Sequence, residues 1–354
     1  MSGGIAQLVA VGAQDAHLVG DPEVSFFRST YRRHTNFSQT VERQVIQGAL
    51  SAGGMSTVRF ERKGDLVGYT YFTSIKNATN ACEALDWSTM IDKVELLVGG
   101  QVIDEHDAFF TNNIAPNLYA TGLAKSVAGG LYKGGLGTAS AAKFYPLRFS
   151  FCENWQTALP LVALQYHDVE LRIRWKDDNT VVDSSVRRVE CHANYVYLDT
   201  DEREMLAKEP RSILITQVQK SLASMGRTQE LNFNHPIKFI AASNVVADSV
   251  NTATNRIKLQ INGTDVTDFK FIDPHYTSVT SYYHAPHAMT DDSLYTLPFC
   301  LDTSRVQPTG SLNFSRLDSA RIVSETASFK DTIYAVNYNI LRIENGMGGL
   351  MYSN

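Results

Sequence analysis

The sequence predicts an all-β protein: two tandem eight-stranded antiparallel jelly-roll β-sandwiches, with short helices in loops and an N-terminal arm. Three observations carry this expectation. Segments rich in Val, Ile, Tyr, Phe and Thr recur between glycine and polar turns, while helical periodicity is weak throughout. The first half holds about eight such segments, the number a jelly roll requires. The third observation is an internal repeat. Val94-Glu95-Leu96-Leu97-Val98-Gly99-Gly100-Gln101-Val102-Ile103 is matched by Ile257-Lys258-Leu259-Gln260-Ile261-Asn262-Gly263-Thr264-Asp265-Val266, two apolar runs pivoting on a glycine turn. Residues 147–152 (LRFSFC) are echoed by residues 294–300 (LYTLPFC), and ANYVYL at 193–198 by VNYNIL at 336–341. The echoes keep one order and their spacing shrinks along the chain. The second copy is therefore expected to carry the shorter outward loops.

The elements follow in order. Residues 1–21 are Gly/Ala-rich and mostly uncharged, an extended arm. Residues 22–31 read as a short helix, with Asp21 as cap, Pro22 in the first turn and Glu23 at the positive end. Strands are expected over 38–46, 56–61, 66–75, 91–98, 101–104, 145–151, 166–175 and 188–198. Gly99-Gly100 between two of them is a hairpin signal, because both glycines accept positive φ. Residues 109–121 read as partly helical. Residues 125–143, with Gly129-Gly130 and Gly134-Gly135, read as a long surface loop. A polar helix is expected over 199–208, capped by Asp199 or Thr200 with Glu202 able to complete a capping box, and Pro210 follows it. In the second half strands are expected over 213–219, 230–233, 237–244, 256–261, 264–271, 293–297, 311–314, 320–325 and 332–342. The organisation is then an arm with a short helix (1–36), a first jelly roll (37–198), a linker helix (199–211), a second jelly roll (212–343) and a C-terminal tail (344–354). Glycines in that tail let the chain turn sharply, so that Leu350, Met351 and Tyr352 pack back against a neighbour.

Composition narrows the function classes. A chain of 354 residues holds about two domains. A net charge of −5 argues against a protein whose main task is neutralising nucleic-acid phosphates. No apolar run approaches the ~18–20 residues of a membrane span, and the first ten residues lack the basic flank of a secretory signal. Cys82, Cys152, Cys191 and Cys300 are scattered without metal or redox spacing, and are expected to be buried, reduced thiols.

Five blocks carry a family resemblance. Residues 3–37 (GGIAQLVAVGAQDAHLVGDPEVSFFRSTYRRHTNF), 91–104 (IDKVELLVGGQVID), 159–171 (LPLVALQYHDVEL), 310–321 (GSLNFSRLDSAR) and 333–354 (IYAVNYNILRIENGMGGLMYSN) closely resemble the major capsid proteins of nucleocytoplasmic large DNA viruses, the phycodnavirus- and iridovirus-like double jelly-roll family. The blocks span the chain in the family's order. The resemblance implies a homotrimeric capsomer whose six jelly rolls give a nearly six-fold outline that tiles an icosahedral shell. It implies minor capsid and penton proteins as further partners, an arm at the capsid base near an internal membrane, a place in the virion after synthesis and assembly in the host cytoplasm, and no direct contact with nucleic acid. The chain is short for this family, mainly in its second half, so its outward extensions are expected to be low.

Candidate chemistry is sparse, and no catalytic residue, cofactor or metal site is assigned. The paired glycines at 129–130 and 134–135 lack the Lys-Ser/Thr ending of a phosphate loop. His284 and His287, near His275, Tyr282 and Tyr283, have a ligand-like spacing only on a helix, and Pro286 argues for an exposed aromatic turn at a subunit contact. His167-Asp168 lacks a nucleophile at fixed spacing, so His167 is expected to be hydrogen-bonded at a strand entrance. Asp104, Glu105 and Asp107 cluster at a strand end; such a cluster in a cleft would suit the rival reading, a tandem jelly-roll carbohydrate-binding protein or hydrolase. A minor capsid paralogue of the same fold is a further alternative. Sequons occur at Asn36, Asn77, Asn262 and Asn313, of which Asn77 is the candidate glycosylation site. Arg28, Arg32 and Arg33, with His34, form the local basic concentration, suited to acidic neighbours or anionic lipid at the capsid base.

Overall fold

Polar–apolar alternation builds the sheets. Val169, Leu171, Ile173 and Trp175 are buried along one strand, while Glu170, Arg172 and Arg174 between them face outward. The computed structural model describes residues 4–5, 12–122, 141–243, 250, 254–287 and 294–353. Both glycine pairs of the expected loop over 125–143 lie outside the described residues. Contacts divide the chain into two units, Met1–Asn36 and Phe37–Asn354.

The larger unit contains four antiparallel sheets. The first half supplies β1 (Phe37–Gln44), β2 (Met55–Arg59), β3 (Leu66–Lys76), β4 (Ile91–Val98), β5 (Gln101–Asp107), β6 (Phe144–Pro146), β7 (Val169–Trp175) and β8 (Arg187–Leu198). Their orders are β1-β8-β3-β6 and β2-β7-β4-β5. The second half supplies β9 (Arg211–Ser221), β10 (Thr228–Glu230), β11 (Pro236–Ser243), β12 (Arg256–Ile261), β13 (Thr264–Asp265), β14 (Leu294–Pro298), β15 (Ala320–Ser324) and β16 (Ile333–Glu344). Their orders are β9-β16-β11-β14 and β10-β15-β12-β13. Adding eight to each label turns the first sandwich into the second. Two-residue to three-residue segments such as Ile46–Gln47 and Leu312–Asn313 extend the sheets at their edges.

Each sandwich buries its own core, with Phe72, Trp87, Tyr145 and Trp175 in the first and Ile240, Ile257, Tyr295, Ile322 and Phe329 in the second. The first core continues into the second half through Ile215, Leu341 and Ile343. A third cluster packs Phe110, Ile114 and Leu118, on a helix after β5, against Phe239, Leu294 and Val336 of the second sandwich.

Even the repeat's details recur. β3 carries an extra residue opposite Asn194, and β11 carries one at Lys238, opposite the Val336-Asn337 step. Asn194 and Asn337 are both buried. The 147–152 echo is shifted, however. The strand equivalent to β14 is β6, which pairs with β3 as β14 pairs with β11, so residues 144–146, not 147–152, are the counterpart of β14. Pro146 ends β6, and Phe149, the extended residue before a short helix at Ser150–Glu153, and Phe151 within that helix then plug the core.

Other expectations change as well. No helix forms over 22–31. Asp21 takes φ +49, incompatible with an extended cap, and Val24, Phe27 and Tyr31 are exposed, so no burial stabilises so short a helix. The arm's helical residues lie earlier, at Ala13–Asp15 and Ala16–Val19. The strand expected over 264–271 is two pieces, β13 and Lys270–Phe271, because Thr267 Oγ1 takes the Leu259 amide at 3.1 Å in place of a ladder bond. Helical backbone covers residues 274–284, after an extended Asp273 (φ −99, ψ 123). Cys82 is exposed, since it sits on an outer edge segment, Ala81–Cys82. The helix Thr200–Lys208 starts at Asp199, whose side chain accepts the Thr200 amide at 2.8 Å.

Candidate functional site

For a protein without catalytic motifs the working surfaces are turns, seams and exposed segments. The two glycine pivots are two-residue turns with left-handed backbone at both positions: φ +58 and +82 at Gly99-Gly100, +49 and +77 at Asn262-Gly263. Each turn is tied to the entrance of a neighbouring strand. The Gly99 amide donates to Asp168 O at 2.9 Å, and the Asn262 amide to Ser319 O at 2.8 Å. Beyond this the solutions diverge. The His167 imidazole fills the space over Gly99, where an added Cβ would stand 2.5 Å from its Cγ. Asn262 instead has a side chain, and its Oδ1 accepts the Asp318 and Ser319 amides at 2.9 and 3.1 Å.

His167 also receives the C-terminal tail. Asn345-Gly346 turns the chain back, and Met347–Leu350 forms β17 on β16. His167 Nδ1 lies 2.9 Å from the Gly348 carbonyl oxygen and 3.2 Å from its amide nitrogen. Tyr166 N donates to Gly346 O at 2.9 Å, and Leu350 packs on the first core. Leu350 thus docks on its own chain rather than a neighbour, because the hairpin places it over the first sandwich.

The carboxylate cluster forms the seam between the sandwiches. Asp104 Oδ1 accepts the Glu105 and Val218 amides at 2.9 and 3.0 Å, the latter from β9. Its Oδ2 lies 2.8 Å from His106 Nε2, although neither His106 ring nitrogen makes an aligned hydrogen bond. That ring packs between Phe110 and Phe149. Glu105 reaches Lys93 at 2.9 Å and Lys220 at 3.5 Å. Burial opposes its ionisation, but the two lysines outweigh burial and hold its carboxyl below the usual value. Asp107 accepts the Phe110 amide at 2.8 Å and the Tyr334 hydroxyl at 2.7 Å. Burial, then Asp107, push that hydroxyl far above the ordinary tyrosine range. All three carboxylates are therefore committed to stitching.

Sequence reading missed the polar network beside them. Gln217 donates to Ile103 O and accepts from Asn339 at 2.8 Å, while Gln219 donates to Asn337 at 2.9 Å. The signal was available: Gln217/Gln219 and Asn337/Asn339 are polar residues two apart within apolar strands, hence on one face. Lys238 was missed too. It is buried at the β11 bulge, and burial pulls its ammonium down to about 8.

The remaining candidates are dispersed. Arg28, Arg32 and Arg33 are exposed in the arm unit. Asn77 lies in an exposed turn, its Nδ2 donating to Ser184 O and Ser185 O at 2.9 and 3.1 Å. Asn36 is exposed, whereas Asn262 and Asn313 cap loops through their Oδ1 atoms. His284 ends the helix Thr280–His284 and lies 2.8 Å from Cys300 O through Nδ1. His287 follows Pro286 in a turn, so the two histidines do not share a helix. Tyr282 and Tyr283 are exposed on the helix, not in the expected turn, because the helical backbone runs on from residue 274 to His284.

Comparisons with known proteins agree with this geometry. Residues 25–199 match the family described as "Major capsid protein N-terminus", and residues 241–349 match "Large eukaryotic DNA virus major capsid protein". A major capsid protein of Pyramimonas orientalis virus is 34% identical, covering 100% of both chains. One of Paramecium bursaria Chlorella virus 1 is 30% identical with the same coverage. Those alignments run over 396 and 448 residues against 354 here, so the relatives carry insertions. A chain of the quasi-atomic PBCV-1 virus capsid superposes with TM-score 0.76 at 25% identity, over 93% of this chain and 100% of that one. The Faustovirus major capsid protein shares the fold, with TM-score 0.67 at 11% identity and 94% of each chain covered.

Proposed function

This chain belongs to the major capsid proteins of large eukaryotic DNA viruses, structural proteins of the virion shell, and from that premise we propose that three copies form a homotrimeric, pseudo-hexagonal capsomer. The observation that carries this reading is the strand-for-strand repeat of two sandwiches joined by one buried seam. Three such pairs place six similar bodies around a three-fold axis, which suits closed symmetric packing. The organisation we adopt is an arm (1–36), two jelly rolls (37–198 and 212–343) joined by a linker helix (199–211), and a tail (344–354). The chain acts without enzymatic chemistry, a reading supported by the full pairing of Asp104, Glu105 and Asp107.

Light scattering on the purified full chain tests the capsomer. A particle of three chains is expected; stable monomers at micromolar concentration would overturn it. Capsomers then meet minor capsid and penton proteins, and assembly follows synthesis in the host cytoplasm. Arg28, Arg32 and Arg33 are assigned to acidic neighbours or anionic lipid at the capsid base, each charge contributing about 1 kcal/mol at a membrane. Arg32→Glu with Arg33→Glu should weaken binding to anionic vesicles, and unchanged binding removes the lipid contact. Asn77 is assigned as a glycan acceptor, to be checked by intact mass of virion-derived protein before and after Asn77→Gln.

A further inference from the structure

The seam contains a cavity that the stitching leaves open. Its volume is about 440 Å³, and its wall includes Tyr119, Leu214, Ile215, Lys238, Asp302 and Val306. Leu214, Ile215, Val306 and the Tyr119 ring form an apolar strip among polar and charged side chains, and the volume is one that small organic ligands occupy.

Lys238 is the unusual member. It is 2% exposed, placed there by the β11 bulge. The equivalent bulge in β3 holds Gly68 and Tyr69, so the backbone irregularity does not itself call for a lysine. The Lys238 ammonium donates to Arg305 O at 2.6 Å, and the Tyr338 ring centroid lies 6.0 Å away. Among the described residues it has no ion-pair partner. The wall's carboxylates are engaged elsewhere: Asp302 accepts from Ser304 and from Arg305 Nε, and Glu153 pairs with Arg148 at 3.0 Å. A buried cation short of acceptors is costly unless an anion completes it.

We propose that this cavity binds a small organic carboxylate, its anionic end on Lys238 and its aliphatic body along Leu214, Ile215 and Val306. Such a ligand bridges the two halves of the chain, since Tyr119 belongs to the first and the aliphatic wall to the second. It contributes stability to the folded chain by mass action.

Titration calorimetry and thermal melting of the full chain at pH 7 test this, with hexanoate as probe and hexanol as its neutral counterpart. Hexanoate should bind and raise the melting temperature, and hexanol should bind at least tenfold more weakly. Lys238→Met should lower hexanoate affinity on the order of ten- to a hundredfold, the loss of a charge-assisted hydrogen bond. Leu214→Trp, which keeps the lysine but fills the cavity, should abolish binding. No hexanoate binding at millimolar concentration, equal binding of hexanol, or full affinity in both variants each overturns the proposal. The wild-type arms alone decide the matter if Lys238→Met fails to fold. Inorganic phosphate, run in parallel, should bind weakly; phosphate tighter than hexanoate also overturns it, pointing to a plain anion site.

Discussion

The two sandwiches solve one problem with different residues. At the first pivot a glycine leaves room for His167, which in turn holds the C-terminal hairpin. At the second, Asn262 supplies the left-handed residue and its own side chain caps the neighbouring strand entrance. At the bulges, Gly68 and Tyr69 in β3 contrast with a buried cation, Lys238, in β11. Topology is thus duplicated, while local chemistry diverges wherever one copy must meet the other. The first pivot faces the tail of the second half, and the second bulge lines the seam.

Removing that meeting should have the largest effect. Deletion of residues 346–354 uncovers Leu164, Val98 and Ile343 around Gly348. A loss of about 3 to 5 kcal/mol is expected in urea unfolding, or failure to trimerise. Wild-type stability and assembly would show that the tail is not docked. Gly99→Ala comes next, at about 3 kcal/mol, combining left-handed strain with overlap against His167.

Lys238 provides a test by pH. Its folded pKa lies near 8 against an ordinary 10.5, so between these values the folded state binds fewer protons than the unfolded state. Stability should rise with pH through that window by up to about 3 kcal/mol relative to Lys238→Met, and be lost as pH falls through about 8. Parallel pH profiles of the two proteins would contradict the buried amine. Gly263→Ala should be mildest, about 1 kcal/mol of backbone strain, since nothing lies within 4 Å of its added Cβ. Equal costs at Gly99 and Gly263 would show that His167 does not discriminate the two turns.

Much of this was legible in the chain before any coordinates. The pivots at Gly99-Gly100 and Asn262-Gly263 are local: two-residue turns demand left-handed residues, and that demand is written in residue type. Period-two alternation in β7 and the family blocks likewise gave the class and the ancestry. The shifted echo at 147–152 shows where local reading fails, because Phe149 and Phe151 are apolar in a helix or a strand alike, and only the core they plug distinguishes the two. The helix misplaced at 22–31 failed for the converse reason, a good local cap without a face to bury. What tertiary structure alone decided is the seam. Asp104 with Val218, Asp107 with Tyr334 and Gln217 with Ile103 lie more than a hundred residues apart in sequence, and no local propensity encodes which polar groups will meet across a buried surface.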